Sequence, residues 1–95
     1  MIGHIIRLKV LEGKEAELEA LVSQLMKDVA VNEPSSIYDV RHVRDEPRTY
    51  LYFISFPDQA ANDRYLTADY HTEMSQKALA LLDGDPIFED LDSFT

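Results

Sequence analysis

Cysteine is absent from the chain, and with it go disulfides, thiolate metal sites and a cysteine nucleophile, an absence compatible with a reducing compartment. Tryptophan is absent too. The three glycines, Gly3, Gly13 and Gly84, lie far apart, so no glycine-rich loop exists to hold a nucleotide phosphate, and neither flavin nor nicotinamide has a visible binding fingerprint. No cofactor is expected. No hydrophobic run approaches the ~18 residues of a membrane helix, and the opening segment meets Arg7 too early for a signal peptide. These features predict a cytoplasmic protein with no membrane partner. Basic residues number nine against 18 acidic ones, a formal charge of −9, which repels the phosphate backbone of a nucleic acid. The basic residues are scattered apart from Arg41, Arg44 and Arg48 around one expected turn, so nucleic acid is not an expected partner. The three histidines, His4, His42 and His71, form no His-x-x-x-His pair and flank no carboxylate at a metal-ligand spacing, so no metal site is expected either.

What the chain does have is one stretch with bulk on both parities, Thr49 to Phe56. Read as a strand, period two puts Tyr50, Tyr52, Ile54 and Phe56 on one face and Leu51, Phe53 and Ser55 on the other. The 95 residues make one domain, 1–95, and a chain of this size buries only about 60 to 65% of its unfolded surface. One layer of helices covers one face of such a sheet. A second copy of the chain is the expected cover for the other.

The remaining elements follow from periodicity. Ile2 to Val10 alternates as a first strand with His4, Ile6, Leu8 and Val10 on one face. From Lys14 the spacing changes to threes and fours through Leu18, Leu21, Val22, Leu25 and Val29, an amphipathic helix with acidic residues near its start. It ends near Asn32, because Pro34 disfavours helical geometry at Glu33. Ile37 to Val43 is a second strand, joined to the third through Asp45, Glu46, Pro47 and Arg48 as an antiparallel hairpin. Asp58 caps a helix running to about Tyr65, and helical pattern restarts at Thr67 or Asp69 and continues to Leu82, before Gly84 and Pro86. Ile87 to Phe94 is a last, acid-rich edge strand. The order β-α-β-β-α-β predicts a ferredoxin-like α+β fold, with a four-stranded antiparallel sheet and helices on one face.

Two histidines carry the candidate chemistry. His4 shares its parity with Ile2, Ile6 and Leu8, and an imidazole among aliphatic side chains needs a partner or a ligand. The structural reading stands beside that one, since strand ends often carry a polar residue that reaches water. His71 lies near the start of a helix, where imidazolium is disfavoured and a neutral, proton-accepting ring is favoured; a solvated surface histidine is the alternative. Tyr50, Tyr52, Phe56, Tyr65 and Tyr70 either line an aromatic pocket between sheet and helices or fill the core themselves. The acids Asp83, Asp85, Glu89, Asp90 and Asp92 have no calcium-loop spacing and read as a solvated edge.

Several short features recur in one order along the chain: Gly13, Lys14 and Glu15 opening the first helix, Glu33 and Pro34 before strand two, and Pro47 in the hairpin. The aromatic third strand ending in Phe56, Ala60 and Ala61 in the next helix, and His71 followed by Leu81 and Leu82 complete the series. Taken together over nearly the whole chain, they resemble the antibiotic biosynthesis monooxygenase family, small dimeric α+β barrels that include quinol monooxygenases and haem-degrading relatives. The resemblance implies a subunit whose sheet packs on its twin, with a pocket between each sheet and its own helices. It also implies oxidation of electron-rich phenols or quinols by O₂ with no metal or flavin, the deprotonated substrate supplying the electron. His71 matches the family's histidine in the last helix, His4 stands where some members place a polar pocket residue, and Phe56 stands where many have tryptophan. Ile54 replaces a glutamate common in the family, Ser35 and Ser36 replace a glycine, and Tyr38 falls one place early.

The expected function is a cofactor-independent monooxygenase acting on quinol-like or polyketide-like aromatics as a homodimer. His71 is the expected base, His4 or Tyr70 the partner of the oxyanion, and Phe56, Tyr50, Tyr52 and Tyr65 the lining of the ring site. Two alternatives remain open: the same barrel binding a small ligand or isomerising it without redox chemistry, and a structural dimer whose pocket is filled by its own side chains.

Overall fold

The computed structural model describes residues 1–94. Four strands, β1 (Ile2–Lys9), β2 (Ile37–His42), β3 (Thr49–Phe56) and β4 (Ile87–Asp92), alternate with three helices, α1 (Glu15–Asn32), α2 (Gln59–Thr67) and α3 (Asp69–Leu79). All pairings are antiparallel, in the order β2-β3-β1-β4, and the helices lie on one face. This is the ferredoxin-like α+β arrangement that the periodicity predicts.

Register decides which side chains meet. His4 lies opposite Ile54 on β3 and Asp90 on β4, while Tyr38 on β2 lies opposite Ile54, so Tyr38, Ile54, His4 and Asp90 form one row across the helix-facing side. The next row is Val40, Tyr52, Ile6 and Phe88. On β3 the two faces differ sharply: Ile54 is 2% and Phe56 0% exposed, against 36% for Leu51 and 41% for Phe53. Leu18, Val22, Leu25 and Val29 of α1 close the inner face at helical spacing.

Local chemistry explains the helix boundaries. Gly13 takes a positive φ of 83° before α1, a conformation that glycine adopts without steric cost. Asp58 caps α2 by accepting from the Ala61 amide at 2.8 Å. Ala68 alone separates α2 from α3, in extended conformation, which redirects the chain so that α3 continues over the sheet. The expected run to Leu82 is shorter here: α3 stops at Leu79, Leu81 turns into the core, and Leu82 forms a bridge with Val10. The physical reason is competition, because the Asp83 amide finds the Lys9 carbonyl at 2.8 Å and the Leu11 amide finds the Leu81 carbonyl at the same distance. Sheet-type bonds thus take over before Gly84. No helix among the described residues is long and apolar enough to cross a membrane.

One ion pair fastens the helical layer. Arg64 of α2 donates to both carboxylate oxygens of Glu33, at 2.8 and 2.9 Å, just past the end of α1. Hydrogen bonding from Arg64 holds the Glu33 carboxyl below its ordinary 4.5, outweighing the opposing effect of burial. The folded-state value is the lower one, so the associated stability is present above pH 4.5 and is lost as pH falls through the depressed value. Arg64→Ala is therefore expected to lower the urea midpoint at pH 7, with the difference from wild type shrinking below pH 4.5. A difference that stays constant across that range would contradict the assignment.

Candidate functional site

The tyrosines of the inner face converge on Tyr65. Its ring centroid lies 5.1 Å from Phe56, 6.1 Å from Tyr38, 6.3 Å from Tyr70 and 4.3 Å from His71. Its hydroxyl shares a 3.2 Å hydrogen bond with that of Tyr38. Desolvation raises the Tyr38, Tyr52 and Tyr65 phenols far above their ordinary 10.0. They stay protonated in any physiological range and offer O–H donors, not bases.

His71 projects from the first turn of α3 onto the face of the Tyr65 ring. Burial lowers its basicity below the ordinary imidazole value of 6.5, and the Leu66 backbone opposes this more weakly. The ring is accordingly neutral at pH 7 and able to take up a proton. Its Nε2 lies 3.1 Å from the Ser75 hydroxyl one turn on. Its Nδ1 is buried without a well-formed hydrogen bond among the described residues.

His4 is held from both sides. Nδ1 is 2.9 Å from Asp90 Oδ1 and Nε2 is 2.7 Å from Asn62 Oδ1. A carboxylate only accepts, so Nδ1 carries the proton that faces Asp90. The Asn62 amide, whose oxygen and nitrogen ends exchange by a half-turn, completes the second contact from α2 while itself only 4% exposed. The imidazole at the strand's end thus has two polar partners, one in solvent and one in the helical layer.

These groups border two adjoining spaces. A cavity of about 140 Å³ lies between sheet and helices, with Leu21, Leu25, Tyr38, Tyr52, Met74 and Ala78 among its walls. A cleft of about 750 Å³ opens toward solvent past His4, Asn62, Gln59, Asp90 and Asp92. Ile6, Tyr65, His71, Ser75 and Phe88 border both. The inner space is apolar with a few hydroxyls, the outer one adds His4, Gln59, Asn62 and the acids Asp90 and Asp92 to a largely apolar wall, and His71 borders both. That is the general form of a small-molecule site.

The residues singled out by sequence are distributed unevenly around it. Tyr52, Tyr65 and His71 border the inner cavity, and His4 joins Tyr65 and His71 in the cleft. Phe56 is fully buried behind Tyr65 and borders neither space, and Tyr70 packs on the far edge of Tyr65. Tyr50 is elsewhere: its hydroxyl donates to Glu19 at 2.7 Å and its ring lies 4.5 Å from His42, beside a separate surface hollow. Sequence reasoning missed Ser75, whose spacing of four from His71 was the available signal, and Tyr38, which shares a parity with Val40. It also missed Asn62 and Asp90, which are 58 and 86 residues from His4 and reach it only through topology. Among the described residues no group of three or more His, Asp or Glu is placed to hold a metal ion.

Comparison with known proteins places this arrangement. The model of the antibiotic biosynthesis monooxygenase family matches residues 1–77, a span that holds His4, Tyr38, Asn62, Tyr65, His71 and Ser75. A Caulobacter crescentus protein described as a candidate antibiotic biosynthesis monooxygenase superposes with a TM-score of 0.91 at 26% identity, over 99% of this chain and 90% of that one. A Shewanella oneidensis protein gives 0.78 at 26% identity, over 95% and 89%. A Deinococcus radiodurans protein, also described as a candidate monooxygenase of this kind, gives 0.87 at 15% identity over 100% and 94%, a likeness of fold alone. No curated protein matches the sequence. With most of its length matched by the family model, and with the fold shared, the chain belongs to the antibiotic biosynthesis monooxygenase family.

Proposed function

We propose that the protein is a cofactor-independent monooxygenase of electron-rich phenols, quinol-like or polyketide-like, and that it works as a homodimer. The observation that carries this reading is the desolvated, neutral His71 bordering both an apolar, tyrosine-lined cavity and a cleft that carries His4, Asn62 and acidic residues. An aromatic ring entering the cavity brings its hydroxyl toward that imidazole. Proton uptake by His71 leaves a phenolate, the electron-rich species from which O₂ can draw an electron. A hydroquinone and O₂ then give a hydroxyquinone and water. His4, positioned by Asn62 and Asp90, and the protonated Tyr52 and Tyr65 are available to hydrogen-bond the substrate oxygens. The acidic outer cleft disfavours carboxylated substrates.

The dimer rests on the opposite side of the sheet. Leu51 and Phe53, with Ile37 at 46% and Ile87 at 60% exposed, lie on the face that no helix covers. Ile5 sits between Phe53 and Glu89 in the same face by register. A second copy packed there would bury this surface and leave the His71 side untouched.

Four outcomes test the reading. Oxygen uptake with 1,4-dihydroxynaphthalene, measured above the uncatalysed rate, is expected to fall roughly 10²- to 10³-fold in His71→Ala; unchanged uptake would remove His71 as the base. Binding of the probe without O₂ consumption would favour the non-redox alternative. The acid limb of kcat/KM is expected below pH 6.5, because the neutral imidazole is the active form and burial lowers its value; a limb above that point would contradict the burial argument. Light scattering is expected to give twice the 10.9 kDa subunit mass, and Phe53→Asp to yield monomers. A monomeric wild type would refute the dimer.

A further inference from the structure

On the reading of His71 as a base, one side chain stands between it and any ligand. Nδ1 faces inward, buried without a well-formed hydrogen bond among the described residues, so a ligand can reach the ring only through Nε2. That nitrogen already faces the Ser75 hydroxyl at 3.1 Å. With the ring proton on the inward nitrogen, the lone pair lies on Nε2 and Ser75 is the donor of this bond. Helical hydroxyls nearby behave differently. Thr67 and Thr72 turn back to the carbonyls four residues earlier, at 2.8 Å to Asp63 and 3.3 Å to Ala68, the usual use of a hydroxyl inside a helix. Ser75 instead reaches the imidazole, and like His71 it borders both the inner cavity and the outer cleft.

We propose that Ser75 is a catalytic residue that relays the substrate's proton: the phenolic hydroxyl donates to Ser75 Oγ while Ser75 donates to His71 Nε2. The phenolic O–H and the original Ser75 O–H bonds break as a new Ser75 O–H and an Nε2–H bond form. The step yields phenolate and imidazolium, with the serine regenerated and no electron transferred. The relay lets His71 act while its ring stays packed against Tyr65, and it places the substrate hydroxyl one serine further from the buried ring. Two protons therefore move together.

The test uses the full chain and 1,4-dihydroxynaphthalene. Ser75→Ala is expected to keep the wild-type melting temperature and KM but lower kcat roughly 10- to 100-fold, with Ser75→Thr restoring most of it. In mixtures of H₂O and D₂O, kcat of the wild type should depend on deuterium content with the upward curvature of two moving protons, and kcat of Ser75→Ala should depend on it linearly. Wild-type kcat in Ser75→Ala alongside an inactive His71→Ala would overturn the relay and leave the proposed reaction standing. Activity unchanged in both variants would bring down the reaction assignment and the relay with it. A linear dependence in the wild type, or a loss that Ser75→Thr fails to restore, would likewise overturn the relay by giving Ser75 a packing role.

Discussion

A sheet has two faces, and this chain supplies helices for one. The constraint is most acute at β3, where Ile54 and Phe56 are sealed beneath the helical layer while their neighbours Leu51 and Phe53 stand in solvent. Alternation along a strand makes such an outcome unavoidable once both parities are bulky. Everything else is arranged around that division. The inner face concentrates tyrosines and the two candidate histidines, and the outer face carries the aliphatic and aromatic surface that the proposed second copy would cover. The two roles do not compete, because no residue points both ways.

The inner face shows why a small domain can hold an open cavity at all. Rings fill it incompletely: Tyr65 meets its four ring neighbours at tilted or edge angles, and flat groups meeting at angles leave wedges between them. The Tyr38 and Tyr65 hydroxyls bond to one another instead of drawing in charged partners. The result is a chamber bordered by neutral phenols, with His71 and Ser75 as its other polar side chains. Charge stays at the rim, in Asp90 and Asp92, and at the Glu33–Arg64 pair behind α2. A ligand that ionises in the chamber would consequently meet a proton acceptor at His71, with the serine beside it.

Much of this was legible in the chain. The double parity of residues 49–56, the break around Ala68 and the alternation of residues 2–9 each follow from local spacing, and the element order then specifies the ferredoxin-like fold. The helix stop at Leu79 was less legible, since Leu81 and Leu82 continue the apolar pattern and only the tertiary bonds to Lys9 and Leu11 end it. The site divides in the same way. His71 and Ser75 share a helix face and could be paired from spacing alone, whereas the Asn62 and Asp90 partners of His4 depend on helix placement and on the β1–β4 register. Tyr50 has the parity of Tyr52 but sits opposite His42, at the other end of the strand. Parity assigns a face, and position along the strand assigns the neighbourhood.

Three aliphatic walls of the inner cavity, Leu21, Val22 and Leu25, come from α1, while the histidine and serine come from α3 together with Met74, Ala78 and Leu79. Part of the cavity's shape is thus written in a different segment of the sequence from the histidine and serine. Substitutions along one helix can enlarge or narrow the chamber while the proposed acid–base pair on another stays as it is. Such a scaffold can drift from one guest molecule to the next through single aliphatic exchanges, with its chemistry inherited unchanged.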